Sequence, residues 1–223
     1  RQLQETSKKI KQLISSAIMP EEIKTSIKKA YSELGQGLVA VRSSATAEDL
    51  PEASFAGQQS TYLNIEGEEN VIQAVQNCWA SLFESRAIYY REQQGYEHLK
   101  VGIAVPVQRM VNSRTSGVMF TVEPVTSDTQ KMVIEAIYGL GEGLVSGEVS
   151  PDLYIIDKQQ MKTISKKISR QEQQLTRNPA PGEKEPNIWL QLPARIQKQQ
   201  KLTDAEILQL AEMGRHIEAH YGQ

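Results

Sequence analysis

Apolar residues recur at helical spacing through the first 33 positions. Ile10, Leu13, Ile14 and Ile18 mark one face, and Pro20 then interrupts it. Met19-Pro20-Glu21-Glu22 reads as a second helix start, with proline early and acids in the first turn. Ile23, Ile27, Ala30, Tyr31 and Leu34 continue an apolar face that Gly35 and Gly37 close. The short apolar run Leu38 to Val41 predicts a buried strand. Residues 69–93 predict one long helix with Val71, Val75, Cys78, Leu82 and Phe83 inward and Trp79 beside that stripe. Val101 to Val111 predicts a buried strand. Pro106 within it removes a ladder donor, so this strand belongs at an edge or a bulge.

Further on, Ser116 to Val122 and Met132 to Ala136 predict two strands joined through a turn-rich Pro124–Thr129. Leu153 to Ile156 and Thr163 to Ile168 predict a hairpin. Residues 170–200 are rich in Gln, Lys and Pro and read as an excursion with little core of its own. Thr203-Asp204-Ala205-Glu206 is a capping-box pattern opening a last helix to about His220. No internal repeats are visible. Strands and helices in this order predict an α+β fold rather than a doubly wound sheet.

Composition narrows the partners. The chain has 223 residues, 39% of them hydrophobic, enough for one large domain or two small ones. A formal net charge of -2 and an aromatic content of 6% argue against nucleic acid. A single cysteine, Cys78, excludes an internal disulfide and fits a reducing cytoplasm. No apolar run reaches membrane-spanning length, and no signal peptide is recognisable. Position 1 is arginine, so the natural N-terminus is expected upstream.

Candidate chemistry begins at the end of the Leu38–Val41 strand, which delivers Arg42 into small, polar and acidic residues. Arginine binds phosphate in a fork. Gly57 lets backbone approach a ligand, and Ser60 and Thr61 offer hydroxyls. The residues alone leave open a structural ion pair from Arg42 to Glu48, Asp49 or Glu52. Gln108, near the end of the Val101–Val111 run, is a polar strand-end residue whose amide also suits a base edge.

Gly139, Gly141, Gly143 and Gly147 follow Glu135 in a run that reads equally as a flexible turn or a ligand-facing loop. The run lacks the Gly-Lys-Ser/Thr of a P-loop. His98, His216 and His220 form no metal-ligand pattern. The last two stand i, i+4 on one helix with no evident third ligand. Cys78, Trp79 and Trp189 read as packing residues.

The run Val39-Ala40-Val41-Arg42-Ser43-Ser44-Ala45-Thr46-Ala47-Glu48-Asp49-Leu50-Pro51, with Ser54-Phe55-Ala56-Gly57-Gln58-Gln59-Ser60-Thr61, resembles the signature of the nucleotide-binding domain of the phosphoenolpyruvate synthase family. Pyruvate phosphate dikinase and rifampicin phosphotransferase share that domain, and the resemblance runs from about Leu38 to Gly222. It implies an ATP-grasp-like α+β fold that is part of an N-terminal ATP-binding domain. Within it, 1–37 are a helical lead-in, 38–168 the nucleotide-site core, 169–202 the polar excursion and 203–223 the C-terminal helix.

The resemblance also implies roles. Arg42 contacts the ATP phosphates and is the catalytic residue. Gly57 and Thr61 line the nucleotide, Gln108 lies near the base, and Glu135 helps organise the site. The cofactors implied are ATP and magnesium. The magnesium ligands are expected beyond Ile217-Glu218-Ala219-His220-Tyr221-Gly222, and a phosphate-binding lysine upstream of residue 1, so this stretch alone is expected to bind ATP weakly and not to turn over. The implied partners are a phosphohistidine domain of the same longer chain and pyruvate bound by another domain, with neither nucleic acid nor membrane. The reaction implied is ATP, pyruvate and water to phosphoenolpyruvate, AMP and phosphate. Two rivals are rifampicin phosphotransferase and a non-catalytic nucleotide-sensing module.

Overall fold

The computed structural model describes residues 1–45, 49–50, 53–54, 60–180 and 185–222. The chain divides into two units, Arg1–Val111 and Asn112–Gln223.

In the first unit, α1 (Gln2–Ser16) and α2 (Glu21–Glu33) are separated at Pro20, which stands just before α2 with two glutamates in the first turn. The unit continues with β1 (Val39–Arg42), β2 (Ser44–Ala45), β3 (Asp49–Leu50), β4 (Ala53–Ser54) and β5 (Thr61–Ile65). Then come α3 (Glu68–Ser81), α4 (Ser85–Gln93), β6 (Ile103–Ala104) and β7 (Val107–Arg109). The sheet order is β5-β1-β7, both pairings antiparallel. The alternating face of β1 that carries Val39 and Val41 packs on Tyr31 of α2 and on Val71, Ala74, Val75 and Cys78 of α3. Tyr31 also ties the loops together. Its hydroxyl accepts from Gly37 N (2.9 Å) and Gly67 N (3.1 Å) and donates to Gly37 O (2.6 Å).

Two expectations need correction here. Residues 69–93 form not one helix but two. Leu82, Phe83 and Glu84 turn back by bonding to the carbonyls of Trp79, Ala80 and Ser81. The carbonyls released at the break are captured from elsewhere: Ser7 Oγ donates to Phe83 O (2.6 Å) and buried Arg91 Nη2 to Leu82 O (2.5 Å). The Val101–Val111 run is likewise two short strands, half-buried or exposed. Pro106 divides them because it has no N–H to give the ladder, while its carbonyl accepts from Arg42 N at 3.1 Å. β7 is an edge strand, as that proline demands.

The second unit contains β8 (Thr115–Phe120), β9 (Lys131–Tyr138), the one-turn α5 (Glu142–Val145), β10 (Asp152–Asp157), β11 (Lys162–Lys167), β12 (Gln173–Arg177), β13 (Asn187–Gln191) and α6 (Asp204–Tyr221). Its main sheet has the order β11-β10-β9-β8, antiparallel throughout. Met132, Ile134 and Ala136 of β9, with Tyr154 and Ile156 of β10, share the face that packs on Ile207 and Ala211 of α6. Thr203 caps α6 with the full capping box: its hydroxyl accepts from Glu206 N, and Glu206 accepts from Thr203 N.

The 170–200 stretch carries an antiparallel hairpin, β12 with β13, where an excursion with little core was expected. Leu175 and Leu192 in it are buried. Gln171 explains the docking. Its amide accepts from Tyr138 N and donates to Tyr138 O, both at 2.9 Å, so it prolongs the ladder where β9 ends. Lys201 and Asp152, both fully buried, close the far side at 2.7 Å. The glycine run is an ordered turn: Gly139 has a φ of +86°, and α5 packs Gly143 on Trp189. Mixed helix and antiparallel sheet make the fold α+β.

Candidate functional site

Alternation along β1 sends Val39 and Val41 to the core and Ala40 and Arg42 to the opposite face. Cross-strand partners share a face. Arg42 is the antiparallel partner of Thr61 on β5, and Ala40 the partner of Gln108 on β7. Arg42, Thr61 and Gln108 therefore stand on one outward face of the three-stranded sheet. Side chains of directly opposed partners start about 5 Å apart at their β-carbons. All three are exposed. A register shift in β5, where Asn64 takes a φ of +58°, keeps Tyr62 opposite Val41 and Ile65 opposite Val39 on the core side.

The strand ends are held from both sides. Ser43 donates twice to the carbonyl of Ser60, from its amide at 3.2 Å and its hydroxyl at 3.1 Å. From the helix side, the Cys78 thiol lies 3.8 Å from Ser60 O and 3.9 Å from Val41 O. Burial pushes that thiol up to about 12, so it stays protonated and serves as a weak donor rather than a nucleophile. Arg109, next to Gln108, donates from Nε to Leu34 O at 2.6 Å and so caps the end of α2. Ser43 is the residue the sequence reading missed, and Ser60, expected to offer its hydroxyl, enters here through its carbonyl. Their link is between backbone and side chain across 17 positions, and no local pattern announces it.

The glutamates and aspartate offered as ion-pair partners for Arg42 lie outside the described residues or have undescribed side chains. Among the described residues Arg42 has no ion pair. Gly57 lies outside the described residues. Glu135 belongs to the second unit, on β9 between Val118 and Leu153 and half-buried, on the face opposite α6. Its carbonyl lies where a β-carbon on Gly117 would stand, 2.0 Å away. On the α6 side of the same strands, Thr115, Gly117 and Met119 line a groove of about 390 Å³ with Leu210 and Met213.

Residues 1–223 match the family described as pyruvate phosphate dikinase, AMP/ATP-binding domain. The chain belongs to that family. Among curated proteins it is 50% identical to the probable phosphoenolpyruvate synthase of Methanocaldococcus jannaschii, over 99% of this chain and 19% of that protein. It is 49% identical to the phosphoenolpyruvate synthase of Pyrococcus furiosus, over 100% of this chain and 28% of that protein. It is 47% identical to the phosphoenolpyruvate synthase of Aquifex aeolicus, over 100% of this chain and 27% of that protein. The chain thus spans less than a third of the length of these relatives.

In this AMP/ATP-binding chain the histidines have local partners. His98 Nδ1 accepts from Arg91 Nε at 3.2 Å, His216 Nε2 lies 3.3 Å from Glu212, and His220 packs edge-on to Tyr221. Among the described residues no three His, Cys, Asp or Glu side chains gather as a metal site.

Proposed function

We propose that this chain is the ATP-binding part of a phosphoenolpyruvate synthase, and that the nucleotide is held over the outward face of β5-β1-β7. The observation that carries the reading is the common face of Arg42, Thr61 and Gln108: a forked cation, a hydroxyl and an amide within reach of one ligand. The relatives, each named as a phosphoenolpyruvate synthase, supply the reaction. ATP, pyruvate and water become phosphoenolpyruvate, AMP and phosphate. One phosphoryl group passes through a histidine on another domain of the longer protein to pyruvate, and the other goes to water.

Phosphoryl transfer needs positioning and charge neutralisation more than covalent help from the protein. In this reading Arg42 neutralises phosphate charge, Thr61 and Gly57 position the phosphates, and Gln108 faces the base. Bound magnesium would add further charge neutralisation. This reading assigns its ligands to the rest of the longer protein. The ATP-grasp-like character of the fold belongs to the same reading, supported by the two sheet-containing units. No helix of the described residues is long and apolar enough to cross a membrane, which is compatible with work in the cytoplasm.

The test is an assay of the longer protein with magnesium-ATP and pyruvate, following AMP and phosphoenolpyruvate together. Equal amounts of both are expected. AMP with rifampicin but not with pyruvate would move the acceptor to the antibiotic. No AMP with either would defeat the catalytic reading.

A further inference from the structure

We infer that Ser43 is a positioning residue that sets Arg42 for its phosphate; the inference rests on the nucleotide reading above. Arg42 ends β1, and among the described residues it has no ion pair to fix its direction. Its backbone is held on either side. On the N-terminal side Val41 is fully buried, and its carbonyl faces the Cys78 thiol. On the C-terminal side Ser43 spends both its donors on the one carbonyl of Ser60, at 3.2 and 3.1 Å.

Ser60 immediately precedes Thr61, the cross-strand partner of Arg42. The Ser43–Ser60 link thus closes the open end of the β1–β5 pair one residue beyond the Arg42–Thr61 rung. The amide bond alone would allow the strand ends to splay about that single contact. The hydroxyl adds a second attachment to the same oxygen, and the thiol of Cys78 approaches that oxygen from the helix side. Ser43 is half-buried and its hydroxyl is committed to this carbonyl, so its own part is to hold the rung rather than to touch ligand.

The experiment measures binding of the β,γ-imido analogue of ATP to the longer protein, in a double-mutant cycle with Arg42. Ser43→Ala is expected to weaken binding about fivefold, the scale of one lost hydrogen bond. Ser43→Thr, which keeps the hydroxyl, is expected to restore the parent affinity. In an Arg42→Ala background Ser43→Ala is expected to cost no further affinity, because the residue it positions is gone. A purely structural role would lower the thermal midpoint and cost the same factor in both backgrounds, and that result would overturn the inference. So would unchanged affinity for Ser43→Ala with Arg42 present. An Arg42→Ala protein that binds like the parent would instead defeat the nucleotide reading itself. Should Ser43→Ala not yield folded protein, Ser43→Cys, with its weaker donor, takes its place in the cycle.

Discussion

Arg42 and Thr61 face each other across β1 and β5 as direct antiparallel partners. The relationship follows from register. Val39 and Val41 must go inward to meet α2 and α3, so Arg42 must go outward, and its partner goes outward with it. A slip of one residue would bury the guanidinium and expose Val41. The core therefore enforces the chemistry of the outer face.

The Lys201–Asp152 pair is fully buried and surrounded by hydrogen bonds. Asp152 accepts from Lys201 N (2.9 Å), Ser169 N (2.9 Å) and Tyr154 OH (2.8 Å), while Lys201 Nζ also donates to Ser169 O. Lys201→Met leaves a buried carboxylate without its cation and is expected to cost about 3–5 kcal/mol. The double replacement with Asp152→Leu is expected to recover most of that loss. Denaturant unfolding of the two variants checks both statements, and a loss of only a few tenths for Lys201→Met would refute the first.

Gly117 has no room for a side chain. A β-carbon there would lie 2.0 Å from the Glu135 carbonyl, a backbone atom that the ladder holds in place. Gly117→Ala is expected to destabilise by about 2 kcal/mol through local displacement of β8 from β9. Gly141→Ala is the control, since its β-carbon would meet only the Ser116 side chain at 3.5 Å. Equal thermal midpoints for the two variants would contradict the close approach.

Cys78 makes stability depend on alkaline pH. Burial raises its thiol from 9.0 to about 12 in the folded chain. Between those values the unfolded chain releases a proton that the folded chain keeps, so stability falls as pH rises through that window and is undiminished below it. The difference in unfolding free energy between the parent and Cys78→Ala is expected to shrink over pH 9 to 12. A thiol reagent at pH 8 is expected to label Cys78 only as the chain unfolds, and rapid labelling of the folded protein would show that the thiol is not enclosed.

Much of the fold was legible because it is written at short range. The helical face of Ile27 and Tyr31, the break at Pro20, the β10–β11 hairpin and the Thr203 capping box each lie within one element or one turn. The rest depends on partners far along the chain. The break at Leu82–Glu84 is stabilised by Ser7 and Arg91. The β12–β13 hairpin is anchored through Gln171 before it, and Lys201 after it is tied to Asp152 and Ser169; both are buried polar residues that composition assigns to solvent. For the candidate site, the position of Arg42 at a strand end was legible. That Thr61 and Gln108 share its face was not, because register between strands is not contained in any one of them.

The central claim is that Arg42, on the outer face of the β5-β1-β7 sheet, neutralises nucleotide phosphate. The most direct measurement is the rate of AMP formation by the longer protein carrying Arg42→Ala, at saturating magnesium-ATP and pyruvate. The account predicts a loss of at least about a hundredfold, with the thermal midpoint unchanged because the side chain is exposed. An unchanged rate in a folded variant would contradict it and leave Arg42 as a surface residue.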